Sequence, residues 1–154
     1  MAQTIRDKVL SNLKTVLETI TTANGYSNSL KKVSRWDQRS NPLSDTPCLT
    51  IALANESKEP EPNPLYTCRL TVLLEVWVCQ KKSDPLSTDE LLCSLLGDVE
   101  KCVMQDITRG GFAKDTDIKG SQPFEGVEGQ PYAGIVVELE IEYEHNQLDP
   151  AAGI

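Results

Sequence analysis

Between Val137 and Glu144 the chain alternates without a break. Ile135, Val137, Leu139, Ile141 and Tyr143 fall on odd positions, and Glu138, Glu140, Glu142 and Glu144 on even ones. Successive side chains of a strand point to opposite faces, so this segment has one oily face and one row of carboxylates about 7 Å apart. Such a strand belongs in a sheet that is covered on one side and open on the other. The rest of the chain must supply the cover.

Two segments can do so. Residues 4–23 carry Ile5, Val9, Leu13, Val16, Leu17 and Ile20 at helical spacing, opened by a Thr4–Asp7 cap pair and stopped at Asn24-Gly25. Ser87 and Glu90 form a capping box for a second helix running to about Ile107, with Leu92, Leu95, Leu96, Val99, Cys102 and Val103 facing inward. Gly110-Gly111 ends that region.

The remaining segments read as strands and turns. LKKVSRWD (30–37) is a short basic strand, and NPLSDTP, with Pro42 and Pro47, is a loop. CLTIALAN (48–55) is a second strand. ESKEPEPNP (56–64) has three prolines and three glutamates and reads as an exposed, mobile hairpin loop. YTCRLTVLLEVWVCQ (66–80) is the longest strand, long enough to extend past the sheet or contain a bulge. A weak strand near 113–119, a turn in QPFEGVEGQP and the strand at 132–145 complete the order α-β-β-β-α-β-β. The expectation is one α+β domain over residues 1–147 and a flexible tail over 148–154. It is a two-layer sandwich, with a mostly antiparallel sheet covered on one face by two helices and a polar second face. A pair between Arg69 and Glu140 or Glu142 is expected on that face.

Charge is unevenly spread. Net charge is −8: residues 1–39 hold seven Lys/Arg against three Asp/Glu, 40–114 hold seven against eleven, and 115–154 hold one against nine. An acidic chain is a poor general binder of phosphate backbones. Aromatics are only 5%, so the core must be aliphatic. The five cysteines have no CxxC spacing and read as buried free thiols of a reducing compartment. Arg6, Asp7 and Lys8 interrupt any leader-like apolar run, and no stretch reaches the roughly 20 residues of a membrane span. The expectation is a soluble protein made in the cytoplasm, with no membrane partner.

As chemistry, the carboxylate row is weak. Acid–base pairs need a pocket that splits two pKa values, and a flat row supplies none. A hard cation needs ligands converging from several directions. The single histidine, His145, has no spaced cysteine pair to make a zinc site. No phosphate loop, GxGxxG, GxSxG or HExxH is present. Neither an enzyme nor a cofactor or metal is expected, and the bland alternative for the row is a solvated strand face.

The run LLCSLLGDVEKCVMQDITRGGFAKDTDIKG (91–120) resembles the helix-plus-glycine region of tail-terminator and tail-completion proteins of tailed bacteriophages, the group that includes the phage lambda tail terminator. Leu95, Leu96, Asp98, Val99, Glu100, Asp106, Gly110, Gly111, Ala113, Asp115, Thr116 and Ile118 stand in the matching places. The helix ending at Gly25-Tyr26, the basic strand KKVSRW, the strand TPCLTIAL and the long strand after a Pro/Glu loop follow in the same order. The five cysteines and the tail DPAAGI depart from the pattern. The resemblance implies a virion component that forms a homo-hexameric ring, caps the tail tube and joins tail to head. Its partners would be the tail-tube protein and a neck, head-closure or sheath protein, with DNA passing through unbound. A head-closure (stopper) protein is the near alternative, and a cytoplasmic ligand-binding α+β domain the remote one.

On that reading Glu138, Glu140, Glu142 and Glu144 would line a DNA conduit, because cationic walls trap phosphates. Lys31, Lys32, Arg35 and Arg39 form a candidate basic patch between subunits. Glu56, Lys58, Glu59, Glu61 and Asn63 form a candidate partner-contact loop.

Overall fold

The structure, a computed structural model, describes residues 3–39, 45–125 and 131–153. The expected element order is present: α1 (Ile5–Leu17), β1 (Lys32–Arg35), β2 (Cys48–Pro60), β3 (Leu65–Cys79), α2 (Thr88–Val103), β4 (Asp115–Glu125) and β5 (Tyr132–Asn146). One five-stranded sheet runs β1-β2-β3-β5-β4, parallel at β1–β2 and antiparallel elsewhere. Both helices lie on one face.

α1 opens as expected, with Thr4 Oγ1 accepting from the Asp7 N–H at 3.1 Å. It ends at Leu17 rather than near residue 23, and a 3-10 turn at Thr22–Asn24 follows. Thr19, Thr21 and Thr22 explain the early stop. β-branched residues lose rotamer freedom in a helix, Thr21 is extended, and the Asn24 amide donates back to the Thr19 carbonyl at 2.8 Å. Gly25 then turns the chain at φ 89°. α2 starts on the Ser87–Glu90 capping box, each reciprocal bond 3.2 Å. It stops at Val103, short of Ile107. There the Asp106 carboxylate accepts from the Thr108 and Gly110 N–H groups, and Arg109 adopts φ 50°. The Arg109 side chain is fully buried. Its Nη2 donates to the Val103 carbonyl at 2.5 Å and also to that of Asp106, ending the helix from within, and burial lowers its pKa.

The core is aliphatic. Ile5, Val9, Leu13 and Leu17 of α1 and Leu92, Leu95, Val99, Cys102 and Val103 of α2 pack on Leu70, Val72, Leu74 and Val76 of β3 and Val137, Leu139 and Ile141 of β5. Asp98, 6% exposed, faces the core edge and accepts from the Ser27 and Asn28 N–H groups at 3.0 and 2.9 Å, tying α2 to the loop after α1. Removing Asp98 would leave both amide groups without their partner.

Several expectations change. β3 pairs with β5 over 15 positions without a slip; the bulges fall instead in β2 at Leu53/Asn55 and in β4 at Ile118/Gly120. β4 continues through Gln122, Pro123 and Phe124, which were expected in a turn; an edge strand tolerates proline. The rest of that turn, residues 126–130, lies outside the described residues, as do Pro42 and its neighbours. Residues 56–60 are strand, not loop. Past Ile51 β2 has no outer neighbour among the described residues, so Pro60 and the glutamates sit on a sheet edge that accepts them. The tail is tied down: the Pro150 carbonyl accepts from the Ile5 N–H at 2.9 Å and that of Ala152 from the Asn146 N–H at 2.7 Å.

Candidate functional site

The face of the sheet without helices carries the glutamate row. β5 lies between β3 and β4, so each carboxylate has neighbours on both sides. Glu142 is opposite Arg69 and Asp115, Glu140 opposite Thr71 and Asp117, and Glu138 opposite Leu73 and Gly120. The expected arginine contact is present: Arg69 Nη2 lies 3.6 Å from Glu142 Oε1, with Glu59 of β2 reaching the same guanidinium at 3.9 Å. Glu144 pairs through Oε1 with the Lys114 ammonium, whose pKa that contact raises. The other oxygen of Glu144 has no partner among the described residues, and the side chain is only 10% exposed. Glu138 and Glu140 make no ion pair among the described residues; Lys119, at the β4 bulge, pairs with Asp117 at 3.2 Å, and its pKa is raised by that contact and by the charge of Glu140. Two carboxylates of the row are thus in ion pairs, Glu140 feels the Lys119 charge at longer range, and Glu138 has no ion pair among the described residues.

The same face is not polar throughout, as the sequence had suggested. Toward the other end, Trp77 of β3 and Phe124 of β4 meet edge to face, centroids 4.6 Å apart at 74°. They meet across Gly134 of β5. A Cβ there would lie 2.3 Å from Phe124 Cζ and 2.5 Å from the Val76 carbonyl oxygen, so only glycine fits. Leu73, Pro123, Phe124 and Val136 line an adjoining hollow of about 440 Å³. The only signal in the sequence was a glycine inside an alternating strand; its aromatic neighbours come from the register.

The other candidate residues are split by the fold. Glu56 and Lys58 are on the helix side of β2. Glu56 accepts from Arg6 of α1, at 3.1 Å from Nε and again from Nη2, and from the Tyr143 hydroxyl. Burial opposes the Glu56 charge, yet the Arg6 and Tyr143 bonds outweigh it and hold the carboxyl below its usual range. Lys58 Nζ lies 2.6 Å from His145 Nε2, while His145 Nδ1 meets the Asn146 carbonyl at 2.7 Å. That pattern fits a neutral ring, accepting at Nε2 and donating at Nδ1. Glu59, Glu61 and Asn63 remain exposed at the hairpin tip. In the basic patch, Arg35 pairs with Asp7 and Arg39 with Asp37 (3.0 Å); Lys31 is exposed and Lys32 half-buried. Structure therefore keeps the patch and the acidic row apart within one chain.

Among the described residues no group of three His, Cys, Asp or Glu side chains could hold a metal, and no helix is long and apolar enough to cross a membrane. The cysteines are free thiols; Cys48, Cys68 and Cys102 are buried, but Cys93 is exposed on α2 and Cys79 half-buried. Burial pushes the Cys48 thiol up to about 11.

No family model matches the chain, and no curated protein matches it. Among solved structures it is similar to a chain of the virion of a native gene transfer agent particle, with TM-score 0.41 and 8% identity over 94% of each chain. A likeness at that level carries no statement of function.

Proposed function

We propose that the chain is a structural virion protein of a tailed phage, a tail terminator that caps the tail tube as a ring and offers the joining surface to the head. The observation that carries this reading is the open sheet face: among the described residues, an interior strand presents carboxylates outward, Glu138 and Glu140 without an ion pair, on a face no helix covers. Six such faces turned inward would make an acidic lumen that does not hold passing DNA. The sequence resemblance over residues 91–120 supports the same assignment. The chemistry is passive in this reading, with no catalytic step.

Electron microscopy of particles assembled without the protein tests it. Over-long tails lacking heads are expected. Full heads that leak DNA would instead identify a stopper, and normal particles would overturn both.

A further inference from the structure

A hollow of about 460 Å³ opens at the end of the sheet where β3 stops. Lys31 and Lys81 line it against a single Asp84, and Pro47, Leu86 and Tyr132 give it apolar walls. Neither lysine makes a salt bridge among the described residues. Leu86 is 42% exposed beside it. A surface of that make-up suits a short acidic segment with apolar, ring-like side chains.

This chain carries such a segment. The β2–β3 hairpin tip presents Glu59, Glu61, Pro62, Asn63 and Pro64, all exposed; within the chain Glu59 reaches Arg69 only at 3.9 Å, and Glu61 accepts from Thr67 Oγ1 at 3.2 Å with one oxygen. It is held in shape: the Glu61 N–H donates to the Leu65 carbonyl at 2.8 Å, and the Gln147 N–H and side-chain amide donate to the Pro64 and Leu65 carbonyls at 2.8 and 3.0 Å. A preorganised tip loses little freedom on docking. Tip and hollow lie at opposite ends of β3, 15 residues long and so about 50 Å at the usual rise. No copy can fill its own hollow.

We propose that the β2–β3 hairpin tip of one copy docks in the Lys31/Lys81 hollow of a second copy, prolines against Tyr132 and Leu86 and glutamates on the two lysines. The contact joins two different surfaces, so it is head-to-tail and propagates, closing a ring when the rotation allows. It rests on the ring reading above only for that closure. Both edges of the sheet point the same way: β2 and β4 each carry a bulge and a proline, which discourage edge-to-edge strand pairing as the rival contact.

Charge exchange within the full chain is the test. Sedimentation at about 1 mM protein and low salt should show Lys31→Glu/Lys81→Glu and Glu59→Lys/Glu61→Lys each associating about tenfold more weakly than wild type, and the four-fold combination regaining association. In a Cys93→Ser background, Asn63→Cys should oxidise to linked chains with the new thiol joined to Cys79, which lines the hollow. Association unchanged in both paired variants, no recovery in the combination, a monomeric wild type, or no link to Cys79 would each overturn the docking. Particles lacking the protein judge the terminator reading separately, because tail length does not depend on which surfaces touch.

Discussion

The two halves of the open sheet face are built on the same strands by different means. Around Trp77, Phe124 and Gly134 the face is closed by aromatic packing on a bare backbone, with a missing Cβ as the condition of fit. Around Glu138 to Glu144 it is held by cross-strand charge, partly paired and partly not. The first half is a packing solution and should tolerate little change. The second is a surface whose charge can be altered without moving the backbone. The difference teaches that an alternating strand fixes which side chains face out but not what that face is for.

The largest effect is expected where packing is tightest. Gly134→Ala must displace Phe124 and the β3 backbone, and should cost about 3 kcal/mol in denaturant unfolding. A loss under about 1 kcal/mol would show that the aromatic half is pliant and blur the contrast.

Behind the charged half, on the helix side, Glu56→Gln should cost about 1–2 kcal/mol by leaving Arg6 without its counter-charge. The pH dependence has a definite sign. The Glu56 carboxyl is held below its ordinary value of 4.5, so its contribution is complete above pH 4.5 and is lost as pH falls through the lower folded value. The gap between wild type and variant should therefore shrink in acid; a gap that widens there would contradict the assignment. Smaller still is a ranking of thiols. Cys93 should be alkylated first, and Cys48, buried with its pKa near 11, only at the rate of opening. Equal rates in mass spectrometry would show a looser core.

Much of this was legible in the chain. Period-two alternation located β3 and β5, and capping pairs placed both helix starts within a residue, because these signals are local. The split of the open face was not legible, since Trp77, Gly134 and Phe124 meet only through a register set by three strands. The Glu/Pro segment misled for a related reason: proline bars a central strand, yet β2 past Ile51 is an edge, and Glu56 is drawn in by Arg6, fifty residues away.

The central proposal is that the charge of Glu138, Glu140, Glu142 and Glu144 on the open sheet face serves DNA passage and not the fold. Changing all four to Gln keeps size and hydrogen bonding and removes four charges per chain. The account predicts a stability within about 1 kcal/mol of wild type, since the pairs of Arg69 and Lys114 involve largely exposed cations and the relief of like-charge repulsion along the row offsets the loss of the Glu144 contact. It also predicts particles that assemble but deliver DNA slowly or incompletely, measured as ejection from purified virions, with weak DNA affinity emerging at low salt. Normal ejection from particles carrying the four-Gln chain would contradict it.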